Sequence, residues 1–319
     1  MKAMIIGLGT IGKVHAGILL DQGIELVGVC DIDSTKLQAY PEEIRYTDYV
    51  KMLDEVQADV VHICTPHYLH TEMVLASLAR NINTLCEKPL CMDKKDIPRI
   101  LEAERASSAQ LGVCFQNRYL PESVVVRDML KNEKVISAHG RVVWQRDEAY
   151  YSQDDWHGRR DKEGGGVLIN QAIHTLDLLQ WLLGMPKALS AYCANLSLQG
   201  IIDVEDTASV YCFGETDFSL LATNAGRGGF PVEVELRTED KRILIKNNIL
   251  TVNGVATDYT SEIPKYGKDC YGMGHWPLFA DFYDCVKTGR KFPIDGQEGA
   301  KAITLVLTAY ESDGKKVAL

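Results

Sequence analysis

Three glycines near the N-terminus constrain this chain more than any other feature. Gly7, Gly9 and Gly12 stand in the stretch G-L-G-T-I-G, directly after the apolar run of residues 2–7, KAMIIG. Residues 13–21, KVHAGILLD, place their apolar side chains at helical spacing. Residues 25–30 are a second apolar run, and Asp31 ends it, nineteen residues after Gly12. Strand, glycine turn, helix and strand make a βαβ unit of the dinucleotide-binding kind. Gly7 permits the tight turn, Gly9 lets the backbone approach a pyrophosphate, and Gly12 lets the helix pack closely on the strand. The helix N-terminus offers unpaired N–H groups and a positive dipole end to phosphate. The Asp31 carboxylate can accept from both ribose hydroxyls. A 2′-phosphate would meet its charge, with no cation among Ile32, Asp33, Ser34 and Thr35 and only Lys36 able to reach round. The expected cofactor is therefore NAD rather than NADP.

Further strands are expected at 58–66, 83–86 and 111–115, alternating with helices at 70–80 and 93–107. This alternation predicts a doubly wound parallel sheet, whose ligands lie beyond the carboxyl ends of the strands. Thr65, Glu87, Lys88, Asn117 and Arg118 occupy those ends. The pattern changes near residue 120. A helix at 121–131, a long strand at 135–145 and a polar, aromatic loop at 147–163 lead to a helix at 164–183. Strands then follow at 188–196, 207–213, 218–223 and 232–238. One hairpin is expected over 241–256, turning at Asn253-Gly254, and helices at 276–288 and 297–310 close the chain. The expected division is a Rossmann domain over 1–119 and an α+β substrate and oligomerisation domain over 120–319.

The chain's net charge of -10 disfavours nucleic acid and an anionic membrane surface as partners. The opening MKAMIIG lacks a signal-peptide layout, and no apolar run approaches the ~18 residues of a membrane span. Nine cysteines are scattered without a C-x-x-C, which reads as reduced thiols in a cytoplasmic protein. His62, His67 and His70 suggest a metal triad, but His62 falls inside a strand and no cysteine or carboxylate stands at a zinc spacing with the other two. No metal is expected.

Two stretches carry chemistry. Glu87-Lys88-Pro89 ends a strand, where a lysine can reach over a nicotinamide to a substrate hydroxyl. Burial beside a positive ring would lower its pKa. The tripeptide alone reads equally as a surface βα loop. The second stretch is G-G-G-V-L-I-N-Q-A-I-H-T-L-D, residues 164–177. On a helix, Asn170 and His174 share a face and Asp177 lies near His174. A histidine is a natural acid–base group, and a carboxylate can orient it. Three glycines ahead of the helix let another backbone or a ligand approach closely. A histidine on the inner face of a helix is the plainer reading of the same pattern.

Taken together, the glycine fingerprint, Cys64-Thr65-Pro66 with His70, Glu87-Lys88-Pro89, and the triple glycine with His174 and Asp177 resemble the glucose–fructose oxidoreductase / inositol dehydrogenase / rhizopine-catabolism (Gfo/Idh/MocA) family over nearly the whole chain. The resemblance implies an oxidoreductase of sugars, polyols and their derivatives. It implies a second domain with an open, mainly antiparallel sheet that often forms the interface of homodimers or homotetramers, and an active site between the domains. By position, Lys88 matches the active-site lysine and His174 the proton-transfer histidine. Gly7, Gly9, Thr10, Ile11 and Gly12 match the pyrophosphate turn and Asp31 the ribose contact. Thr65, Pro66, His70, Glu87 and Asn117 match the rest of the cofactor wall. Inositol dehydrogenase-like members carry Asp four residues before the histidine, where this chain has Asn170. That makes Asp177 the expected electrostatic partner of His174. Substrate hydroxyls are expected to meet Arg118, Trp156, Arg159, Asn170, His174 and His275, with Trp156 and Tyr271 stacking on a sugar face. Arg159-Arg160 hints at an anionic substrate group. Two other functions fit the pattern: an enzyme that retains NAD and modifies a glycoside through transient oxidation, and a non-catalytic NAD-binding sensor.

Overall fold

The computed structural model describes residues 1–259 and 274–319. Tyr271, expected to stack on a sugar, lies outside the described residues. The chain forms two compact units, residues 1–116 with 274–300 and residues 117–259 with 301–319.

The first unit is a parallel sheet of β1 (Lys2–Ile6), β2 (Glu25–Cys30), β3 (Arg45–Tyr46), β4 (Val60–Ile63), β5 (Asn83–Cys86) and β6 (Leu111–Val113). Its strand order, β3-β2-β1-β4-β5-β6, is that of a doubly wound dinucleotide fold. β1 and β4 read as continuous apolar runs because both sheet faces are covered: Ala3, Met4, Ile5, Val60, Val61 and Ile63 are all buried. The strand order reverses between β1 and β4, the place where ligands of such sheets bind beyond the carboxyl ends of the strands. Helix His275–Thr288 returns to this unit. Its Phe282 packs against Gly112 of β6 so closely that a Cβ there would sit 2.8 Å from the ring.

The second unit is built on a nine-stranded sheet of β7 (Ser137–Val143), β8 (Ala188–Ala194), β9 (Thr207–Phe213), β10 (Phe218–Thr223), β11 (Glu233–Arg237), β12 (Arg242–Lys246), β13 (Ile249–Val252), β14 (Val255–Asp258) and β15 (Val317–Ala318). Only the β7–β10 pair is parallel; the remaining neighbours run antiparallel. Strict alternation in β7 buries Ala138, Gly140 and Val142 on one face. Helix Ile173–Leu183 lies over that face at Gly140, where a Cβ would come within 2.7 Å of Thr175. Residues 241–256 hold two hairpins where one was expected. Asn247 and Asn248 both adopt positive φ, as do Asn253 and Gly254, so each pair makes a primed turn and the chain reverses twice.

Among the described residues eight cysteines are free thiols. Burial pushes Cys30 and Cys91 up to about 12, so these behave as small apolar side chains. No described helix is long and apolar enough to cross a membrane.

Candidate nucleotide turn and catalytic helix

The glycine turn connects β1 to helix Thr10–Asp21, with Gly9 as its N-cap. The three glycines have different surroundings. Gly7 sits at φ +90, and a Cβ on it would lie 2.6 Å from the Cys64 carbonyl oxygen. On Gly12 a Cβ would lie 1.9 Å from the Gly7 carbonyl oxygen. Gly9 has nothing within 4 Å of where its Cβ would be. The turn is thus closed by two glycines and open at the third, beside a helix with no side-chain cap and no acid in its first turn. Those features fit a pyrophosphate.

Asp31 ends β2, and its carboxylate accepts from the backbone N–H of Leu8 at 2.7 Å and of Asp33 at 2.9 Å. The ribose-side acid is therefore fastened to the glycine turn itself. Lys36 does reach round, with Nζ 3.3 Å from Asp31 Oδ1.

At the ends of β4 and β5, His70 links two loops. Its Nδ1 is 2.6 Å from the Pro89 carbonyl oxygen and its Nε2 is 2.8 Å from that of Thr65. Burial lowers its pKa, against the pull of the two carbonyls. Lys88 is half-buried, and the Lys88–Pro89 peptide bond is cis. The Lys88 backbone N–H donates to Glu87 Oε2 at 3.2 Å. Glu87 Oε1 lies 3.0 Å from His15 Nε2 and 3.3 Å from His275 Nε2. Burial pushes the Glu87 carboxyl up, but the two histidines outweigh it and hold it well below the usual carboxylate range. His275, expected to meet substrate, is buried against Glu87. Asn117 lies in the 3₁₀ turn Gln116–Tyr119, where the chain passes from the first unit to the second.

In the second unit the expected helix over 164–183 is not uniform. Residues Leu168–Ala172 form a π-helical segment that continues into α-helix Ile173–Leu183. The π segment places a wide turn between Asn170 and His174, a feature common at functional sites. Buried carboxyl groups hold this element. Glu205 Oε2 accepts from Gly166 N–H at 2.9 Å, and its Oε1 accepts from Leu168 N–H at 3.0 Å and from the Tyr310 hydroxyl at 2.9 Å. Burial pushes the Glu205 carboxyl up, and these donors do not fully offset it. Glu163 Oε1 accepts from the Asn170 side-chain amide and its Oε2 from Gly158 N–H, both at 2.5 Å. The triple glycine serves a backbone approach, since a Cβ on Gly166 would lie 1.8 Å from the Glu205 carbonyl oxygen.

Asp177 and Arg118, read from sequence as a partner of His174 and a substrate contact, bind each other. Arg118 Nε donates to Asp177 Oδ2 at 2.7 Å and Nη2 to Oδ1 at 2.6 Å, in a buried bidentate pair. Gln180 also donates to Asp177 Oδ1, at 3.2 Å. The Trp156 ring lies tilted against that of His157, with centroids 3.8 Å apart. Arg159 is exposed beside Asp161 and Asp203, and Arg160 lies over the Tyr310 ring. Glu163 and Glu205 were missed by the sequence reading. The available signal was an acid in a loop otherwise rich in partners for solvent, which does not distinguish a buried acid from an exposed one.

Comparison with known proteins agrees with this architecture. A model described as an oxidoreductase family with an NAD-binding Rossmann fold matches residues 1–115, and one described as the GFO/IDH/MocA C-terminal domain matches residues 132–230. The chain is 23% identical to a myo-inositol 2-dehydrogenase of Thermotoga maritima, over 98% of this chain and 96% of that protein. It is 30% identical to a D-glucoside 3-dehydrogenase of Escherichia coli, over 60% of this chain and 56% of that protein. Its fold matches the WlbA dehydrogenase of Bordetella pertussis, crystallised with NADH and UDP-GlcNAcA, with TM-score 0.90 and 23% identity across all of this chain and 97% of that one. The glycine turn, the acid closing β2, the lysine after β5 and the histidine helix are thus read together: the chain belongs to the Gfo/Idh/MocA family of oxidoreductases, with an NAD-binding Rossmann domain followed by the family's C-terminal domain.

Proposed function

We infer that this protein is an NAD-dependent dehydrogenase of a ring secondary alcohol in a sugar, a polyol or a derivative of one. The observation that carries the reading is the opening at Gly9 between two closed glycines, with Asp31 fastened to the same turn. The names of its relatives, an inositol dehydrogenase and a glucoside dehydrogenase, support the substrate class. NAD, when bound, supplies the hydride acceptor.

This chain's residues supply the rest. Gly9 and the helix N-terminus after it hold the pyrophosphate, and Asp31 holds the adenosine ribose. His174 takes the proton of the substrate hydroxyl while Lys88 stabilises negative charge developing on that oxygen. Loss of the proton and of the hydride leaves a carbonyl. Glu163 orients Asn170 toward a substrate hydroxyl, and Glu205 fixes the start of the helix that carries His174.

A panel of sugars, inositols, sugar acids and glycosides tests the reading, run with NAD and with NADP and monitored by the near-ultraviolet absorbance of reduced nicotinamide. The expected result is turnover of a ring alcohol with NAD. In Lys88→Ala and His174→Ala the expected loss in kcat is about 10²–10⁴-fold each, with NADH binding retained. Turnover unchanged in both variants would overturn the assignment. Cleavage of a glycoside without net NADH would move the protein to retained-cofactor chemistry.

A further inference from the structure

Beneath the β5 end, three donor atoms from three separate elements converge. They are His15 Nε2 from helix Thr10–Asp21, Glu87 Oε1 after β5 and His275 Nε2 at the start of helix His275–Thr288. These atoms all lie within 4.8 Å of one another, and the residues are 0%, 5% and 3% exposed. The two closer approaches are 3.0 Å and 3.3 Å. Ligands about 2.0–2.1 Å from a tetrahedral zinc ion stand about 3.3 Å apart, so the two edges that meet at Glu87 Oε1 are already near that size. Two imidazoles and a carboxylate are a recurrent three-ligand set for that ion.

The shell behind the triangle is also built. His15 Nδ1 is 2.9 Å from His62 Nδ1 and 3.2 Å from the Cys64 sulfur, and His62 Nε2 is 3.0 Å from the Tyr283 hydroxyl. This row has two self-consistent proton arrangements. In one, Tyr283 donates to His62, His62 donates through Nδ1 to His15, and His15 donates through Nε2 to Glu87. In the other, His15 carries its proton on Nδ1 and donates to His62, and His62 donates through Nε2 to Tyr283. Only the second leaves His15 Nε2 bare. It is the arrangement that fixes a ligating histidine from behind.

We propose that His15, Glu87 and His275 form a buried binding site for a divalent cation of the zinc class, which pins helix His275–Thr288 to the end of β5. The site uses none of the nucleotide turn and does not depend on the proposed reaction. Neither His67 nor His70, read from sequence and set aside, belongs to it, and His62 touches it only through His15 Nδ1.

The test uses untagged full-length protein, stripped with a chelator and then titrated with zinc chloride or cobalt chloride. The expected stoichiometry is one ion per chain by elemental analysis, with a raised thermal midpoint. Cobalt is expected to give the intense visible absorption of a tetrahedral site. In His275→Gln affinity falls more than about 100-fold, beyond the roughly 10–100-fold cost of removing a group that only orients a ligating side chain. His157→Ala, which removes a histidine paired with Asp154 elsewhere in the chain, leaves binding unchanged. Nitrogen-15 spectra of the stripped wild type report the His15 and His62 tautomers, which zinc is expected to reverse, so the proposal stays testable if a variant fails to fold. Stoichiometry below one, affinity unchanged in His275→Gln, or tautomers indifferent to zinc would each overturn it.

Discussion

Two glycine turns in this molecule begin helices and end in opposite states. The turn at Gly7–Gly12 leaves its helix N-terminus without a side-chain cap, and Gly9 faces open space. The turn at Gly164–Gly166 is just as tight, with a Cβ on Gly166 brought to 1.8 Å from a carbonyl oxygen against 1.9 Å for Gly12. Yet its N–H groups at Gly166 and Leu168 are already taken by the Glu205 carboxyl group. An acid from the chain stands where the first turn would hold a phosphate. The difference lies in which N–H groups the fold's own acids take: Asp31 takes only that of Leu8, ahead of the helix, so the helix start keeps its donors for a ligand, whereas Glu205 takes those at the start of the second helix itself. The first helix keeps its start open for a cofactor, while the second gives the N–H groups at its start to Glu205.

The contrast implies that the second unit is the one most easily broken by removing charge. Arg118→Ala should have the largest effect. It strands Asp177 in a site where both partners are almost fully buried, and breaking such a pair costs about 3–5 kcal/mol. Calorimetry should show the loss in thermal midpoint. An Arg118→Ala protein as stable as the wild type would mean that Asp177 reaches solvent and the helix does not depend on the pair.

Glu205→Ala comes next. It leaves Gly166 N–H, Leu168 N–H and the Tyr310 hydroxyl without their shared acceptor. The expected loss is about 3 kcal/mol, since water entering the vacated space recovers part of what the stranded donors cost. If the carboxyl group stands in for a phosphate, sulfate should restore part of that stability in the variant and add little to the wild type. Equal response of both proteins would break the analogy between the two turns. The pH dependence sharpens it. Burial raises the Glu205 carboxyl above its ordinary value of 4.5, so the folded chain holds that proton more tightly than the unfolded one. Its contribution is whole below pH 4.5 and is lost as pH climbs through the raised value. Glu205→Gln, which cannot ionise, should flatten that limb of the stability curve.

The same contrast explains what was legible in the sequence. Gly7, Gly9, Gly12 and Asp31 act through local backbone geometry and fixed spacing, which one βαβ unit displays in full. The alternation of β7, β9 and β10 likewise exposes a half-buried sheet to simple reading. The fastenings of the second unit are pairings between residues far apart in the chain. Arg118 meets Asp177 across 59 positions and Leu168 meets Glu205 across 37. Nothing in a local window separates these buried acids from solvated ones. Periodicity missed one local feature: a 3.6-residue reading of 164–183 predicts a uniform helix, whereas Leu168–Ala172 is a π-helical segment. The pairing of His275 with Glu87 spans 188 positions, and it too is invisible in a local window.

The smallest expected effects lie at the open turn, where the contrast concerns affinity rather than stability. Asp31→Ala removes acceptors for the ribose and frees the Leu8 N–H, so NADH binding should weaken by at least about tenfold, from about 1.5 kcal/mol for a hydrogen bond to a charged group. Lys36 is the finer probe. Its ammonium lies 3.3 Å from Asp31 and is partly exposed, so the pair is worth at most about 1 kcal/mol. In the wild type that cation offsets the charge a 2′-phosphate would meet. Lys36→Ala should therefore leave NADH affinity nearly unchanged while weakening NADPH by about two- to fivefold. Fluorescence titration of both reduced cofactors measures the ratio. NADPH bound as well or better without Lys36 would show that the cation serves only to position Asp31, leaving cofactor choice to the carboxylate alone.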